Sequence, residues 1–369
     1  EISCSLVGSE MCIRDRALAI INKIKEKEPD SEFLYIGTHN RMEKDIVPSK
    51  GIPFESIEMY GFNKKHLLKN FKTVKCLMQS FKKCRKLIKD FNPDIVIGVG
   101  GYVTVPVIVS AKKLGYKTFL HEQNSLPGKS NKYLAKYSDL IGVSFESSIK
   151  AFPEGKAVLT GNPCSEDALN VLPIDKKELG LTSSKKLVLI VMGSLGAGRV
   201  SDYLMGELKG FKNKDYEVLF ISGKSSYDKV KAEKYPDNVK ILPFYEGLTK
   251  IMKRTDLMIS RAGASTLSEI VALEIPSILI PSPFVANNHQ YYNALDLVQK
   301  GAAEMIEEAN LKDGVLVSMV DKLLLDGNKR IEMKKALKGM QIKGSADIIY
   351  NKIKAVSYTH LTLPTNSRV

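Results

Sequence analysis

The chain has 369 residues and a mass of 41.0 kDa, which predicts two domains or one large one. With 44% hydrophobic and 26% charged residues, the chain is not disordered. Its five cysteines are scattered and form no C-x-x-C pair, which argues against a disulfide scaffold or a zinc site and is typical of a reducing cytosol. The net charge of +14 favours an anionic partner: nucleic acid, an anionic membrane or a phosphorylated substrate.

The two ends of the chain differ from the rest. Residues 1–16, which end in Met-Cys-Ile-Arg-Asp-Arg, and residues 356–369 resemble translated sequencing-adapter read-through. The alternative is an ordinary variable terminus. We exclude both ends from the fold prediction, which therefore lacks a first strand before the helix that starts near Ala17.

From Ala17 onward, helices alternate with short apolar strands. The first half is predicted to contain helices at Ala17–Glu28 and Lys65–Asp90 and strands at Phe33–Ile36, Ile52–Ile57, Ile95–Val99, Lys117–Leu120 and Leu140–Val143. This pattern is typical of a parallel sheet covered by helices on both faces. The longest uncharged run, Ile95 to Ala111, is short and interrupted by glycines, so the chain is predicted to be soluble or peripheral to a membrane.

The helix at Lys65–Asp90 lies in the segment that carries most of the excess positive charge. Between Gly61 and Lys89 there is no Asp or Glu, and the basic residues are Lys64, Lys65, Lys69, Lys72, Lys75, Lys82, Lys83, Arg85, Lys86 and Lys89. The rest of the chain is nearly balanced, which argues against nucleic acid as the partner.

One face of that helix is apolar between the lysines. Its residues at three- and four-residue spacing are Leu67, Phe71, Val74, Met78 and Phe81. We predict that this face, flanked by Lys72 and Lys75, dips into the head-group region of an anionic membrane. The alternative is a core-packed helix with a solvated basic side.

The region from Gly161 to Lys186 is the best candidate for a linker. A second alternating series follows, with strands at Leu187–Met192, Val218–Ser222, Val239–Leu242, Leu257–Ile259, Ser277–Ile280 and Ala303–Ile306. We therefore predict an α/β protein of two doubly wound, Rossmann-like parallel-sheet domains that face a cleft. The domains are residues 17–163 and 164–340, with a helix at 341–355 that returns to the first domain.

Three loops of the second domain follow strand ends and are candidates for binding a ligand. Gly193–Gly198 is glycine-rich and precedes a helix, whose N-terminus can bind a phosphate. In the next loop, Ser265 or Thr266 is predicted to cap a helix and Glu269 to accept two ribose hydroxyl bonds; the alternative is a capping arrangement alone. The third loop contains His289 and Gln290. Because carboxyl ends of parallel strands share one edge, we expect the three loops to converge.

The first domain offers polar residues after two predicted strands. Gly100, Gly101 and Tyr102 follow one, and His121-Glu122-Gln123-Asn124 follows another. Either His121 or Glu122 could act as an acid or base, or both could belong to a buried hydrogen-bond network. No D-x-D triplet and no Walker loop is present, so we predict no essential metal, no other cofactor and no ATP hydrolysis.

Six motifs occur together in a fixed order: Gly100-Gly101-Tyr102, His121-Glu122-Gln123-Asn124, Gly161-Asn162-Pro163, Gly193-Ser194-Leu195-Gly196-Ala197, Arg261-Ala262-Gly263-Ala264, and His289-Gln290 with Asn293-Ala294. On these motifs, residues 17–355 resemble the MurG family of bacterial peptidoglycan GlcNAc transferases, in glycosyltransferase family 28. The resemblance implies the GT-B fold and a role in cell-wall biogenesis, cell shape and cell division.

The resemblance also implies the reaction. UDP-GlcNAc would be the donor, and the C4 hydroxyl of undecaprenyl-diphospho-muramoyl-pentapeptide (lipid I) would attack it with inversion to give lipid II. Residues 17–163 would then bind the acceptor and an anionic membrane at the cytoplasmic face, and residues 164–340 would bind UDP-GlcNAc. Cell-wall synthesis proteins would be further partners, and nucleic acid would not be one.

The family's donor contacts match Asn124, Ser194, Tyr245, Ala264, Ser265, Thr266, Leu267, Ser268, Glu269 and Gln290 in this sequence. Three departures from the family pattern accompany them. The family's N-terminal glycine-rich loop, which ends in a His, is absent, so the catalytic base is unknown and His121 and Glu122 are its candidates. Met192 replaces a glycine, and Cys164 or Ser165 replaces a common Arg.

Two other functions are compatible with the sequence. One is a different GT-B enzyme, either a diacylglycerol glycosyltransferase or a UDP-GlcNAc 2-epimerase, although an epimerase should be richer in acid–base side chains than a chain with five His. The other is a UDP-sugar-binding protein without turnover.

Overall fold

The computed structural model describes residues 3–7, 11–39, 43–59, 70–193 and 198–358. The chain divides into two compact units. Unit 1 comprises Glu1–Cys164 together with Ile342–Val369, and unit 2 comprises Ser165–Gln341.

Unit 1 is built on a sheet of seven parallel strands. They are β1 (Cys4–Val7), β2 (Phe33–Thr38), β3 (Phe54–Ile57), β4 (Ile95–Gly98), β5 (Lys117–Glu122), β6 (Leu140–Val143) and β7 (Ala157–Leu159), in the order β3-β2-β1-β4-β5-β6-β7. The helices are α1 (Met11–Lys27), α2 (Glu43–Ser49), α3 (Asn70–Phe91), α4 (Thr104–Lys113), α5 (Lys129–Leu134) and, after unit 2, α14 (Ser345–Tyr358).

Unit 2 has six parallel strands. They are β8 (Lys186–Val191), β9 (Tyr216–Ile221), β10 (Val239–Leu242), β11 (Leu257–Ser260), β12 (Ser277–Leu279) and β13 (Glu304–Met305), in the order β10-β9-β8-β11-β12-β13. The helices are α6 (Ser165–Asn170), α7 (Gly198–Lys209), α8 (Tyr227–Lys231), α9 (Leu248–Met252), α10 (Ala264–Ala272), α11 (His289–Gln299), α12 (Val315–Leu325) and α13 (Gly327–Met340).

Both sheets thus have the doubly wound order that the sequence predicts, and the central strands show why. Every residue of β4 is buried, and so are four of the six residues of β8. Continuous apolar strands of this kind need cover on both faces, which the helices supply. In unit 2 the core between sheet and helices includes Val188, Leu204 and Phe220.

The expectation that the first strand is missing is wrong. β1 pairs in parallel with β2 and with β4, so that Cys4 lies opposite Phe33 on one side and Ile95 on the other. Its absence would leave unpaired backbone groups in the middle of the sheet, which is costly in a buried position. Residues 8–10, directly after this strand, lie outside the described part of the chain.

Several boundaries also differ from the prediction. β5 is two residues longer than predicted and therefore contains His121 and Glu122. Helix α6 lies within the predicted linker, and α14 continues to Tyr358. The predicted helix at Lys65–Asp90 is described from Asn70 onward, since residues 60–69 are outside the described part.

Helix α14 packs against α1 within unit 1. Ile349 and Ile353 are buried in the same core cluster as Ile21 and Ile24. At the edge of this contact the Glu28 carboxylate accepts hydrogen bonds from the Tyr350 hydroxyl at 2.6 Å and the Lys354 ammonium at 2.8 Å.

Burial raises the pKa of Glu28, but the hydrogen bonds from Lys354 and Tyr350 outweigh that effect, so its net pKa lies below the ordinary 4.5. A carboxyl with a lowered pKa in the folded state stabilises that state above its unfolded pKa. The stabilisation is lost as the pH falls through the folded value.

We expect Tyr350→Phe to lower the free energy of unfolding by about 1.5 kcal/mol near pH 7, because Glu28 loses one donor. Urea unfolding followed by circular dichroism at about pH 7 and about pH 3.5 measures the effect, which should shrink at the lower pH. Tyr358→Phe in the same helix is the matched control. An equal effect of the two substitutions, or no dependence on pH, would contradict the assignment.

Candidate functional site

The candidate site of unit 2 lies at the centre of its sheet. The strand order reverses between β8 and β11, and parallel α/β sheets bind ligands in the crevice at such a point. The chain leaves β8 through Met192, which is buried in the core, and Gly193, whose φ of +93° favours glycine. Ser194, a predicted donor contact, lies outside the described residues.

Helix α10 begins directly after β11 with its N-terminus at this edge. Gly263 is the N-cap residue and no side chain caps the helix. The prediction that Ser265 or Thr266 is the cap is wrong, because the helix already starts at Ala264 and both residues lie in its first turn. The backbone N–H groups of that turn have no side-chain cap and can donate to a bound anion.

The predicted contacts on α10 divide into two kinds. Ala264 and Leu267 are buried, and the Ser268 hydroxyl donates to the Ser265 carbonyl at 2.7 Å within the helix. The Leu267 N–H donates to the Gly263 carbonyl at 2.9 Å and Ser268 follows the first turn, so of these three residues only Ala264 can offer a backbone N–H to a ligand. Glu269 is half-buried and, four residues after Ser265, lies on the same helix face.

Arg261 connects the strand ends around α10, a role that the sequence analysis missed. Its guanidinium donates to the Ile280 carbonyl at 3.1 Å and forms an ion pair with Glu308 at 2.5 Å. Both side chains are nearly buried, at 13% and 12% exposure. The Asn293 amide of α11 adds a bond of 3.2 Å to the Ala262 carbonyl. Arg261 and Asn293 belong to motifs that the sequence analysis names, whereas Glu308 belongs to none of them.

The loop after β12 fixes Gln290. Its Oε1 accepts the Ser282 N–H at 2.9 Å, so the Nε2 donors point elsewhere and are available to a ligand hydroxyl. Next to it, His289 Nδ1 lies 2.9 Å from the Ala286 carbonyl and must be the protonated nitrogen. Tyr245, another predicted contact, is half-buried in the loop after the edge strand β10.

In unit 1 the strand order reverses between β1 and β4. Gly100 and Gly101 follow β4 with φ values of +101° and +86°. The Gly100 carbonyl accepts the Thr104 hydroxyl at 2.6 Å, and Tyr102 is 64% exposed. Gly100 is buried and Gly101 half-buried, and a tight turn of this kind next to an exposed aromatic ring is suited to contact with a ligand.

Glu122 is buried and organises the loop after β5. One carboxylate oxygen accepts the Asn124 backbone N–H at 2.9 Å and the Asn124 side-chain amide at 3.2 Å. The other accepts the Gly128 N–H at 3.0 Å and the Asn131 amide at 2.9 Å. With four donors on two oxygens, Glu122 is a structural acceptor, and Asn124 is held in place by it.

His121 is fully buried, and both of its ring nitrogens are occupied. Nδ1 lies 3.0 Å from Arg16 Nη1 and must accept, because a guanidinium only donates. Nε2 lies 2.9 Å from the Gly161 carbonyl and therefore donates. Burial and then the charge of Arg16 lower the pKa of His121 to about 3. In this geometry neither His121 nor Glu122 has a free lone pair suited to a catalytic base.

We expect His121 to stay neutral, in the Nε2–H tautomer, throughout the neutral pH range. Its lowered pKa means that the folded state loses stability as the pH falls from about 6.5 to about 3, because the unfolded state binds the proton more readily. Imidazole nitrogen NMR shifts measured across this range should be constant for His121 until the protein unfolds. A shift of the His121 signals near pH 6.5 would refute the prediction.

The predicted membrane face of α3 is described only in part. Lys75 and Met78 are exposed, whereas Phe81 is partly buried against the core. Leu67 and the side chains of Phe71 and Lys72 lie outside what the structure describes.

The described residues include no helix that is long and apolar enough to cross a membrane. They also contain no cluster of three or more His, Cys, Asp or Glu side chains that could hold a metal ion. The absence of a metal from the reaction remains a prediction.

Family models and relatives match most of the chain. The glycosyltransferase family 28 N-terminal domain matches residues 16–143, and the C-terminal domain of the same family matches residues 187–349. A relative from Bacillus cytotoxicus is 45% identical over 92% of this chain and 94% of its own length. One from Bacillus licheniformis is 41% identical over 93% and 95%. Both are described as UDP-N-acetylglucosamine–N-acetylmuramyl-(pentapeptide) pyrophosphoryl-undecaprenol N-acetylglucosamine transferases.

Solved structures share the fold. MurG from Acinetobacter baumannii superposes with a TM-score of 0.78 at 23% identity, covering 96% of this chain and all of its own. A putative UDP-N-acetylglucosamine 2-epimerase from Listeria monocytogenes gives a TM-score of 0.70 at 13% identity, covering 98% and 97%. At these identities the likeness concerns the fold alone.

Proposed function

The chain belongs to glycosyltransferase family 28, and we propose that it transfers N-acetylglucosamine from UDP-N-acetylglucosamine to an undecaprenyl-pyrophosphoryl N-acetylmuramyl-pentapeptide. The product would be lipid II, the lipid-linked disaccharide of peptidoglycan synthesis. The observation that carries the proposal is the 45% identity to a transferase of this specificity across both units. The alternative of an epimerase rests on likeness at 13% identity, which concerns only the fold.

We assign the donor to unit 2. The uncapped N-terminus of α10 would bind the diphosphate through backbone N–H groups and the positive end of the helix dipole. Glu269 would accept bonds from the ribose hydroxyls, and the free Nε2 of Gln290 would donate to a sugar hydroxyl. The Arg261 guanidinium would hold the loop after β11 to the loop after β12 through the Ile280 carbonyl, and to the segment after β13 through Glu308.

The reaction exchanges one C–O bond for another. The acceptor's C4 oxygen forms a bond to the anomeric carbon while the bond from that carbon to the diphosphate breaks, and the C4 proton passes to a base. Donors at the α10 N-terminus would stabilise the charge that develops on UDP, which is the main demand of such a step. Because His121 and Glu122 are occupied by hydrogen bonds, we place the base outside these two side chains.

We expect Glu269→Ala to weaken UDP binding by about 10-fold to 100-fold. The ribose hydroxyls lose up to two hydrogen bonds to the Glu269 carboxylate, each worth about 1.5–3 kcal/mol, and water that replaces the carboxylate recovers part of this loss. Calorimetric titration of the full chain with UDP measures this. Glu332→Ala, which removes an exposed carboxylate from α13 of the same unit, is the control and should bind UDP normally. Unchanged affinity in Glu269→Ala would remove this residue from the site.

The acceptor's undecaprenyl chain requires the enzyme to work at a membrane surface, and we propose the cytoplasmic face, with α3 as the contact. Met78 is 68% exposed on this helix and Lys75 lies on the same side, three residues earlier. An exposed apolar side chain among cations suits an anionic interface, where Met inserts and Lys pairs with phosphate.

We expect Lys75→Glu with Met78→Ser to reduce cosedimentation with anionic vesicles severalfold, more at low than at high salt, because charge drives the first encounter. Lys322→Glu with Leu325→Ser is a matched control, since it has the same spacing on an exposed helix surface of unit 2. Equal vesicle binding by the two folded variants would show that α3 does not contact the membrane.

A further inference from the structure

The ion pair between Arg261 and Glu308 joins the ends of three neighbouring strands in unit 2. Arg261 follows β11, and Glu308 lies in the segment after β13, two strands away in the sheet. Both side chains are nearly buried. Arg261 Nη1 contacts Glu308 and also donates to the carbonyl of Ile280, the residue that follows β12. Nη1 carries two N–H donors, so it can make both contacts at once.

Stability alone is a poor reason for this pair. The desolvation of two buried charges often cancels their attraction, and well-packed apolar side chains commonly serve as well. The guanidinium also belongs to a residue two positions before Gly263, the N-cap of α10, where the helix dipole is positive. Glu308 offsets the charge there and keeps Arg261 directed toward β12 and β13. What the pair provides is a fixed position for Arg261.

The Ile280 carbonyl stands at the start of a stiff segment, residues 280–283. Pro281 and Pro283 each fix their own φ and restrict the residue before them to extended conformations. The N–H of Ile280 is held as well, because it donates to the Ser260 carbonyl at 2.8 Å. A displacement of the Ile280 carbonyl is therefore carried on to Ser282 and is not absorbed between them.

Ser282 connects this segment to Gln290, the proposed sugar contact. The Ser282 N–H donates to Gln290 Oε1 at 2.9 Å, and this bond orients the side-chain amide. The backbone between the two residues enters α11 through Asn287 and Asn288, whose φ values are +54° and +52°. Such left-handed conformations persist where neighbouring contacts hold them. The orientation of Gln290 therefore depends on the position of Ser282.

The rest of α11 has a support that does not involve Glu308. Asn293, three residues after Gln290, is fully buried, and its amide donates to the Ala262 carbonyl at 3.2 Å. This bond ties α11 to the loop that leads into α10. Loss of Glu308 should therefore leave both helices in place and change the orientation of the Gln290 amide.

We propose that Glu308 is a positioning residue for the sugar of the donor, an inference that rests on the donor site proposed above. Glu308 holds Arg261, which holds the Ile280 carbonyl. The stiff segment 280–283 then places the Ser282 N–H that orients Gln290. Gln290 Nε2 donates to a hydroxyl of the N-acetylglucosamine, whereas other groups bind the uridine diphosphate. Glu308 acts on the substrate only through these residues.

The test compares the full chain with Glu308→Gln and with Glu307→Gln, the control. Glu307 is the preceding residue, has the same charge and is exposed. Calorimetric titration measures the dissociation constants of UDP and UDP-GlcNAc for each protein. We expect Glu308→Gln to raise the ratio of the UDP-GlcNAc constant to the UDP constant by about threefold to tenfold, which corresponds to about one hydrogen bond. The control should keep the wild-type ratio, and the UDP constant should be the same in all three proteins.

A double-mutant cycle separates positioning from a general loosening of the unit. Gln290→Ala alone should raise the same ratio, and adding Glu308→Gln should raise it no further, because the residue through which Glu308 acts is gone. Since Glu308→Gln leaves a buried guanidinium unpaired, a second variant, Glu308→Gln with Arg261→Gln, removes both charges. It should show the same rise in the ratio as Glu308→Gln.

Three outcomes would overturn the proposal. An equal loss of affinity for UDP and UDP-GlcNAc in Glu308→Gln would show a general structural role. Additive effects of Glu308→Gln and Gln290→Ala would show that Glu308 does not act through Gln290. Tighter UDP binding in Glu308→Gln would show that Glu308 restrains Arg261 from the diphosphate. Each of these removes the role of Glu308 alone, whereas a wild type that binds neither UDP nor UDP-GlcNAc would remove the proposed donor site with it.

Discussion

The reversal of strand order at the middle of each parallel sheet is the constraint on which the candidate sites depend. All strands of a unit end at the same edge, so the loops after β8 and β11 must leave in opposite directions and a crevice opens between them. Helices that start there direct unpaired N–H groups into the crevice. In unit 2 this places the first turn of α10 and the side chain of Gln290 at one edge.

Buried polar side chains around these crevices mainly hold backbone in place. Glu122 accepts four hydrogen bonds from the loop and helix that follow β5, and Arg261 connects the loop after β11 to the loop after β12 and to Glu308. In a low dielectric, such groups are stable only when fully paired. The same pairing that makes them good supports removes the lone pairs that acid–base chemistry needs.

The sequence predicted the two Rossmann-like sheets well, because short apolar strands such as β4 and β8 are buried on both faces and leave a clear pattern. The prediction of strand ends from the sequence failed where a polar residue continues a strand. His121 and Glu122 looked like a loop, since a strand with buried polar residues at its end cannot be distinguished by hydropathy from a strand followed by a polar turn.

The order of motifs brought Glu269 and Gln290 to the candidate site, but the pairing of Arg261 with Glu308, 47 residues apart, has no local signal. β1 was missed because it was set aside on its resemblance to adapter sequence, although its position between β2 and β4 is fixed by backbone pairing alone.

Helix α14 gives the chain a discontinuous first unit. Its residues follow all of unit 2 in the sequence, yet they cover the apolar face of α1 that includes Ile21 and Ile24. During synthesis, unit 2 is a continuous stretch that can fold as soon as it emerges, whereas unit 1 must wait with that face uncovered. Its final closure joins segments separated by more than 300 residues, which makes it a slow, late step. Completion of unit 1 therefore depends on the prior synthesis of all of unit 2.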